Sequence, residues 1–165
     1  MATRRTALLL IAIGVAGAIA ACGGKSPAPA TSSTAPVSPS GAIDACKLIG
    51  PDDIAKLLGN PVQGRPLGNA VACTWENKET YESVTLEIGN QGTAVNNTLA
   101  PPDPALGDAG TPGPDGMRIL ASGMVEFPAG GRSNTVQVAV LSLMGEAADN
   151  AAIDLARKVG PQLPQ

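Results

Sequence analysis

The stretch Ser83-Val84-Thr85-Leu86-Glu87-Ile88 places Val84, Leu86 and Ile88 on one side of an extended chain and Ser83, Thr85 and Glu87 on the other. Strict alternation of this kind marks a strand of an antiparallel sheet, one face on a core and one in water. Residues 71–75 (VACTW), just upstream, read as a neighbouring strand. Downstream, residues 134–143 (NTVQVAVLSL) form the strongest strand signal in the chain, and residues 125–127, followed by Pro128-Ala129-Gly130-Gly131, read as its hairpin partner. Residues 117–121 are a weaker strand.

Helices flank these strands. Asp44 is placed to cap a short turn through Cys46 and Leu48. Pro51 suits a first helical position, Asp52 and Asp53 suit the positive end of the helix dipole, Ile54, Leu57 and Leu58 form an apolar stripe, and Gly59 stops the helix. Near the C-terminus Ala148, Ala152, Leu155, Ala156 and Val159 share one helical face, with Glu146 and Asp149 early, Arg157 and Lys158 late, and Gly160-Pro161 as the stop. The order helix, strands, strands, helix predicts an α+β domain: a single antiparallel sheet with helices packed on one face. Residues 96–116, dense in Pro, Gly and Asp, read as one long loop.

The 165-residue chain is 44% apolar but has only Trp75, Tyr81 and Phe127 as aromatics, and no histidine. Without His there is no Ser-His-Asp or Cys-His catalysis and no His-ligated metal. A formal charge of -3, no basic block and few aromatic platforms argue against nucleic acid as a partner.

The N-terminus carries an address. Arg4 and Arg5 precede a 15-residue charge-free run over residues 7–21, long enough for a signal core but shorter than the ~20 residues of a membrane-spanning helix. It ends Ile19-Ala20-Ala21-Cys22-Gly23, which resembles the bacterial lipobox. That resemblance implies a signal peptide over residues 1–21, a diacylglyceryl group on the Cys22 thiol, cleavage before Cys22, and display on the extracytoplasmic face of the cell membrane. An ordinary secretory signal ending Ala-x-Ala is the alternative. Each buried methylene is worth about 0.8 kcal/mol, so two or three acyl chains on Cys22 form a durable anchor.

Residues 22–40 then read as the lipidated Cys and a Pro/Ser/Thr-rich tether with nothing to bury, and residues 41–165 as the globular domain. Thr31, Ser32, Ser33 and Thr34 among prolines have the composition of an O-glycosylated stalk, although a plain spacer explains the stretch equally well. With Cys22 lipidated, Cys46 and Cys73 remain in a chain bound for an oxidising envelope, where a disulfide is the default. Trp75, two residues after Cys73 on the same strand face, reads as an indole packed against that bridge.

The series Asp44-Ala45-Cys46-Lys47-Leu48, Ile54-Ala55-Lys56-Leu57-Leu58-Gly59 and Ala72-Cys73-Thr74-Trp75 resembles a family of actinobacterial, chiefly mycobacterial, envelope lipoproteins that carry a domain of unknown function. Leu106-Gly107-Asp108-Ala109 is similar to a stretch seen in such domains. The resemblance implies an address and a disulfide but no activity. It departs over residues 111–116, which are richer in Pro and Gly.

Other motifs are weak. Asp52 and Asp53 point about 100° apart on a helix, so they serve the dipole better than an acid pair. Asp103, Asp108 and Asp115 do not match a calcium-loop spacing. The glycines of residues 110–116 lack the Gly-Lys-Ser/Thr of a phosphate loop. No cofactor or metal is implied. Two function classes remain: a non-enzymatic binding or accessory domain for an envelope protein or small ligand, and a carboxylate-based envelope hydrolase. The first requires an apolar pocket or exposed patch, the second two acids about 5 to 9.5 Å apart in a cleft.

Overall fold

The computed structural model describes residues 43–68, 71–103, 105 and 110–165. The signal residues 1–21, Cys22, the tether with Thr31, Ser32, Ser33 and Thr34, and the stretch from Leu106 to Ala109 with Asp108 lie outside the described residues.

Among the described residues seven strands are formed: β1 (Arg65–Pro66), β2 (Val71–Glu76), β3 (Ser83–Ile88), β4 (Thr111–Pro112), β5 (Arg118–Ala121), β6 (Met124–Ala129) and β7 (Arg132–Ala139). They make one antiparallel sheet in the order β1-β2-β3-β7-β6-β5-β4. Two meanders therefore meet at the β3–β7 pair, and the chain after β3 runs to the far edge before returning. The register aligns Cys73 with Leu86, Leu86 with Val136 and Val136 with Val125, so these four side chains form one row across the sheet. Trp75, Val84 and Val138 form the next row, and Phe127 lies opposite Asn134. All of these residues are buried. The opposite face carries Thr85, Glu87, Thr135 and Gln137, as the alternation of β3 requires.

Helices α1 (Pro51–Leu58) and α2 (Glu146–Val159) cover the apolar face. Pro51 opens α1, and the chain leaves it through Gly59 in the left-handed region at φ +73°. The buried Asn77 donates from Nδ2 to the Leu58 carbonyl at 3.1 Å, satisfying one of the acceptors that a helix end leaves open. Helix α2 lies on β6 and β7 and buries Ala148, Ala152, Leu155, Ala156 and Val159, together with Ile153. Its three buried alanines, Ala148, Ala152 and Ala156, let the helix backbone approach the sheet closely. An ion pair between Lys158 of α2 and Asp53 of α1 links the two helices.

Cys46 and Cys73 are disulfide-bonded with their Cα atoms 5.1 Å apart, joining the turn Ala45–Lys47 to β2. Asp44 Oδ1 accepts the Cys46 N–H at 3.1 Å and starts that turn. Gly64 packs onto this corner: a Cβ there would stand 2.6 Å from Cys73 Sγ and 2.7 Å from Trp75 Nε1. Trp75 is 3% exposed and lies beside the disulfide, as its spacing from Cys73 predicts.

Three expectations are corrected. The strand expected over 134–143 starts at Arg132 and ends at Ala139, because both neighbours run out: Met124 begins β6 opposite Gln137, and Ser83 begins β3 opposite Ala139. The hairpin turn is narrower than Pro128–Gly131. Pro128 is a strand residue, and the turn is Gly130-Gly131, both at positive φ (+61° and +68°), as the type I′ turn of a two-residue hairpin requires. The Pro/Gly-rich segment before β5 is more than a loop, since Thr111-Pro112 pairs with Arg118-Ile119 as the outermost strand. Both edge strands are two residues long and contain proline, a combination that blocks pairing with another chain.

Candidate functional site

The β2–β3 loop is built around Asn77. Its backbone N–H donates to the Glu82 carbonyl at 2.9 Å, its carbonyl accepts from Tyr81 N–H at 2.7 Å, and its Oδ1 accepts from Glu79 N–H at 3.0 Å. This folding forces Tyr81 to φ +62°. The other non-glycine residues with positive φ among the described residues are Asn96, Asn97 and Asp115, types that tolerate the left-handed region. A tyrosine does not, and strain of roughly 1 to 3 kcal/mol at one residue persists only when its surroundings impose it. The imposed conformation leaves Tyr81 79% exposed.

Across from Tyr81, the chain leaving β7 turns at residues 140–143, with Leu143 N–H donating to the Val140 carbonyl at 3.0 Å. The turn projects Leu141 and Met144 into solvent, 79% and 80% exposed. Tyr81, Leu141 and Met144 are the most exposed large hydrophobic residues among those described, and they share one groove of about 400 Å³. Val138, Val140 and Ala148 form its buried floor and Leu143 its half-buried wall. The groove is open to solvent along its length.

Its polar lining atoms are committed to holding the loops. Glu82 Oε1 accepts the Leu141 N–H at 2.9 Å and Glu82 Oε2 accepts the Thr80 hydroxyl at 2.9 Å, bridging the two loops. Ser122 Oγ accepts the Gly145 N–H at 3.1 Å at the start of α2. What is left to meet a partner is aliphatic and aromatic surface on pinned backbone, a chemistry suited to apolar contact.

A second hollow, about 470 Å³, lies between the β4 edge and α2 and is lined by Glu146, Asp149 and Arg157 among others. Its charges are largely engaged. Asp149 Oδ1 accepts the Gly123 N–H at 2.7 Å, and Arg157 pairs with Asp115 at 2.9 Å and Asp154 at 3.7 Å.

The aspartates singled out in the sequence are dispersed. Asp53 binds Lys158, Asp103 accepts the Ala105 N–H at 2.8 Å, Asp115 binds Arg157, and Asp108 is outside the described residues. Among the described residues, no three His, Cys, Asp or Glu side chains gather where they could hold a metal ion. The groove residues Tyr81, Leu141 and Met144 escaped sequence reading. A lone tyrosine inside the polar loop Asn77-Lys78-Glu79-Thr80 was the available signal for one of them.

No protein-family model matches the chain, and neither the curated proteins nor the solved structures contain a match to it. Among the described residues, no helix is long and apolar enough to cross a membrane.

Proposed function

We propose that this chain is a cell-envelope lipoprotein, anchored by acyl chains on Cys22 to the extracytoplasmic face of the membrane, that displays a non-enzymatic binding domain on the 22–40 tether. The apolar groove edged by Tyr81, Leu141 and Met144 is its binding surface. The observation that carries this reading is the concentration of exposed apolar side chains at one end of the sheet, one of them on strained backbone. Soluble proteins rarely keep such a patch without a use, and backbone strain concentrates where function requires it. The Cys46–Cys73 disulfide supports an oxidising location.

Two measurements test it. Substituting Cys22→Ser should move the protein from the membrane fraction to the soluble fraction; retention of the variant in membranes overturns the anchor. Nile red, a neutral apolar dye, should brighten on the full chain and lose most of that signal when Tyr81, Leu141 and Met144 are all changed to Ser. An unchanged signal overturns the groove as the binding surface.

A further inference from the structure

The described residues include five sulfur side chains, and the fold treats them very differently. Cys46 and Cys73 are already joined, so neither offers a thiol to an oxidant. Met117 is 7% exposed and packs in the core, and Met124 is half-buried on β6. Met144 is 80% exposed and lines the groove with Tyr81 and Leu141. The loop around it is held by backbone: the Met144 carbonyl accepts the Ala147 N–H at 3.3 Å, and the Gly145 N–H is taken by Ser122.

Resting on the reading of this groove as the binding surface, we infer that Met144 is a modification site, oxidised by hydrogen peroxide to the sulfoxide, and that this oxidation switches off apolar binding at the groove. A lone pair of the sulfur attacks one peroxide oxygen, an S–O bond forms as the O–O bond breaks, and the other oxygen leaves as water after proton transfer between the two oxygens. Sulfur loses two electrons and the peroxide gains them. The oxidant must reach the sulfur itself, which exposure allows at Met144 and burial prevents at Met117. The product places a polar S=O group where an apolar, adaptable side chain faced the occupant. At Met117 that group would be buried in the core at a cost to the fold, whereas at Met144 it stays in water. The modification therefore changes what the groove binds without unfolding the domain. It is also reversible: a methionine sulfoxide reductase removes the oxygen as water while two of its thiols become a disulfide.

The test treats the purified full chain with hydrogen peroxide, removes the excess with catalase, and reads oxygen uptake at each methionine by peptide mass spectrometry beside Nile red fluorescence and thermal denaturation. Met144 should be oxidised at least about tenfold faster than Met117, with Met124 between them. As Met144 is oxidised, Nile red brightening should fall by about half or more, the thermal midpoint should stay in place, and methionine sulfoxide reductase should restore the dye signal. Whatever signal Met144→Leu starts from, the same treatment should leave it unchanged, because leucine has no sulfur. Oxidation of Met117 or Met124 as fast as Met144 overturns the site. Complete sulfoxide at Met144 with undiminished dye, or a loss of dye that Met144→Leu shows as well, overturns the switch while the groove stands. A lowered thermal midpoint makes the oxidation damage to the fold and overturns the switch too. Untreated protein that never brightens Nile red overturns the groove as the binding surface, and the switch with it, whereas the oxidation site is still decided by mass spectrometry.

Discussion

The two ends of the sheet are finished in opposite ways. At the end where β6 turns into β7, Asn134 is fully buried and its amide donates toward the carbonyls of Phe127, Ala129 and Arg132, while its Oδ1 accepts the Gly89 N–H. The loop after β3 is tied to the same hairpin: Gly131 O accepts from Gly92 and Ala94, Asn97 Oδ1 accepts the Gly131 N–H, and Thr93 Oγ1 accepts the Ser133 N–H. At the opposite end the loops are also pinned, through Asn77, Glu82 and Ser122, but they hold Tyr81, Leu141 and Met144 out in water. One end uses its polar groups to close the fold. The other uses them to present apolar side chains. On the proposed reading, a surface that gains nothing for folding from its most apolar residues is kept for contact with something else, and the substitutions below test that division.

The largest effect belongs to neither end. The disulfide closes a loop with a sequence separation of 27, and opening it with Cys46→Ser and Cys73→Ser should cost roughly 3.5 kcal/mol by the chain-entropy relation. Urea denaturation should show one transition at a lower midpoint. A biphasic curve, with one end melting first, would mean that the two ends are not parts of one cooperative unit. Next comes Asn134→Ala, which strips the partner from a half-buried Gly89 N–H and from carbonyls of the hairpin and leaves a void; about 3 kcal/mol is expected. A loss below about 1 kcal/mol would remove the contrast, because the closed end would then owe little to its polar network.

How far the sequence reveals this arrangement depends on where the deciding interactions lie. Ser83–Ile88 is a strand by its own alternation, and the structure gives it those bounds. Both helices announce themselves by dipole charges and stripes, α1 also by Pro51 at its start and Gly59 at its end, and Cys46 and Cys73 are bonded as the cysteine reckoning predicts. The edge strands are illegible because Arg65-Pro66 and Thr111-Pro112 have no pattern of their own and exist only through β2 and β5. Residues 140–143 continue an apolar run and look like strand; only the ending of both neighbouring strands turns them away from the sheet. The groove is hidden for that same reason, since the misread stretch contains Leu141. The φ of Tyr81 follows from hydrogen bonds to Asn77, which no local propensity records.

Tyr81 tests the open end with an effect of opposite sign. A residue that packs for stability is missed when removed, whereas Tyr81 is 79% exposed and held at φ +62°. Asparagine enters that region far more readily, so Tyr81→Asn should raise stability by about 1 kcal/mol while weakening uptake of Nile red. Thermal denaturation of the two proteins side by side measures it. Destabilisation of similar size would show that the ring is a structural prop.

The smallest effect is the most informative about purpose. Leu141 and Met144 are about as exposed in the folded protein as in an unfolded chain, so burial contributes almost nothing at either position. Changing both to Ser should move stability by no more than about 0.5 kcal/mol. The backbone bonds that shape their turn, Leu141 N–H to Glu82 and Leu143 N–H to Val140, do not involve either side chain and should survive. If the pair proves neutral to folding yet removes binding at the groove, the two properties are separated at single residues. If the pair costs more than about 1.5 kcal/mol, the side chains are packed more deeply than their exposure indicates, and the open end becomes a second closed one.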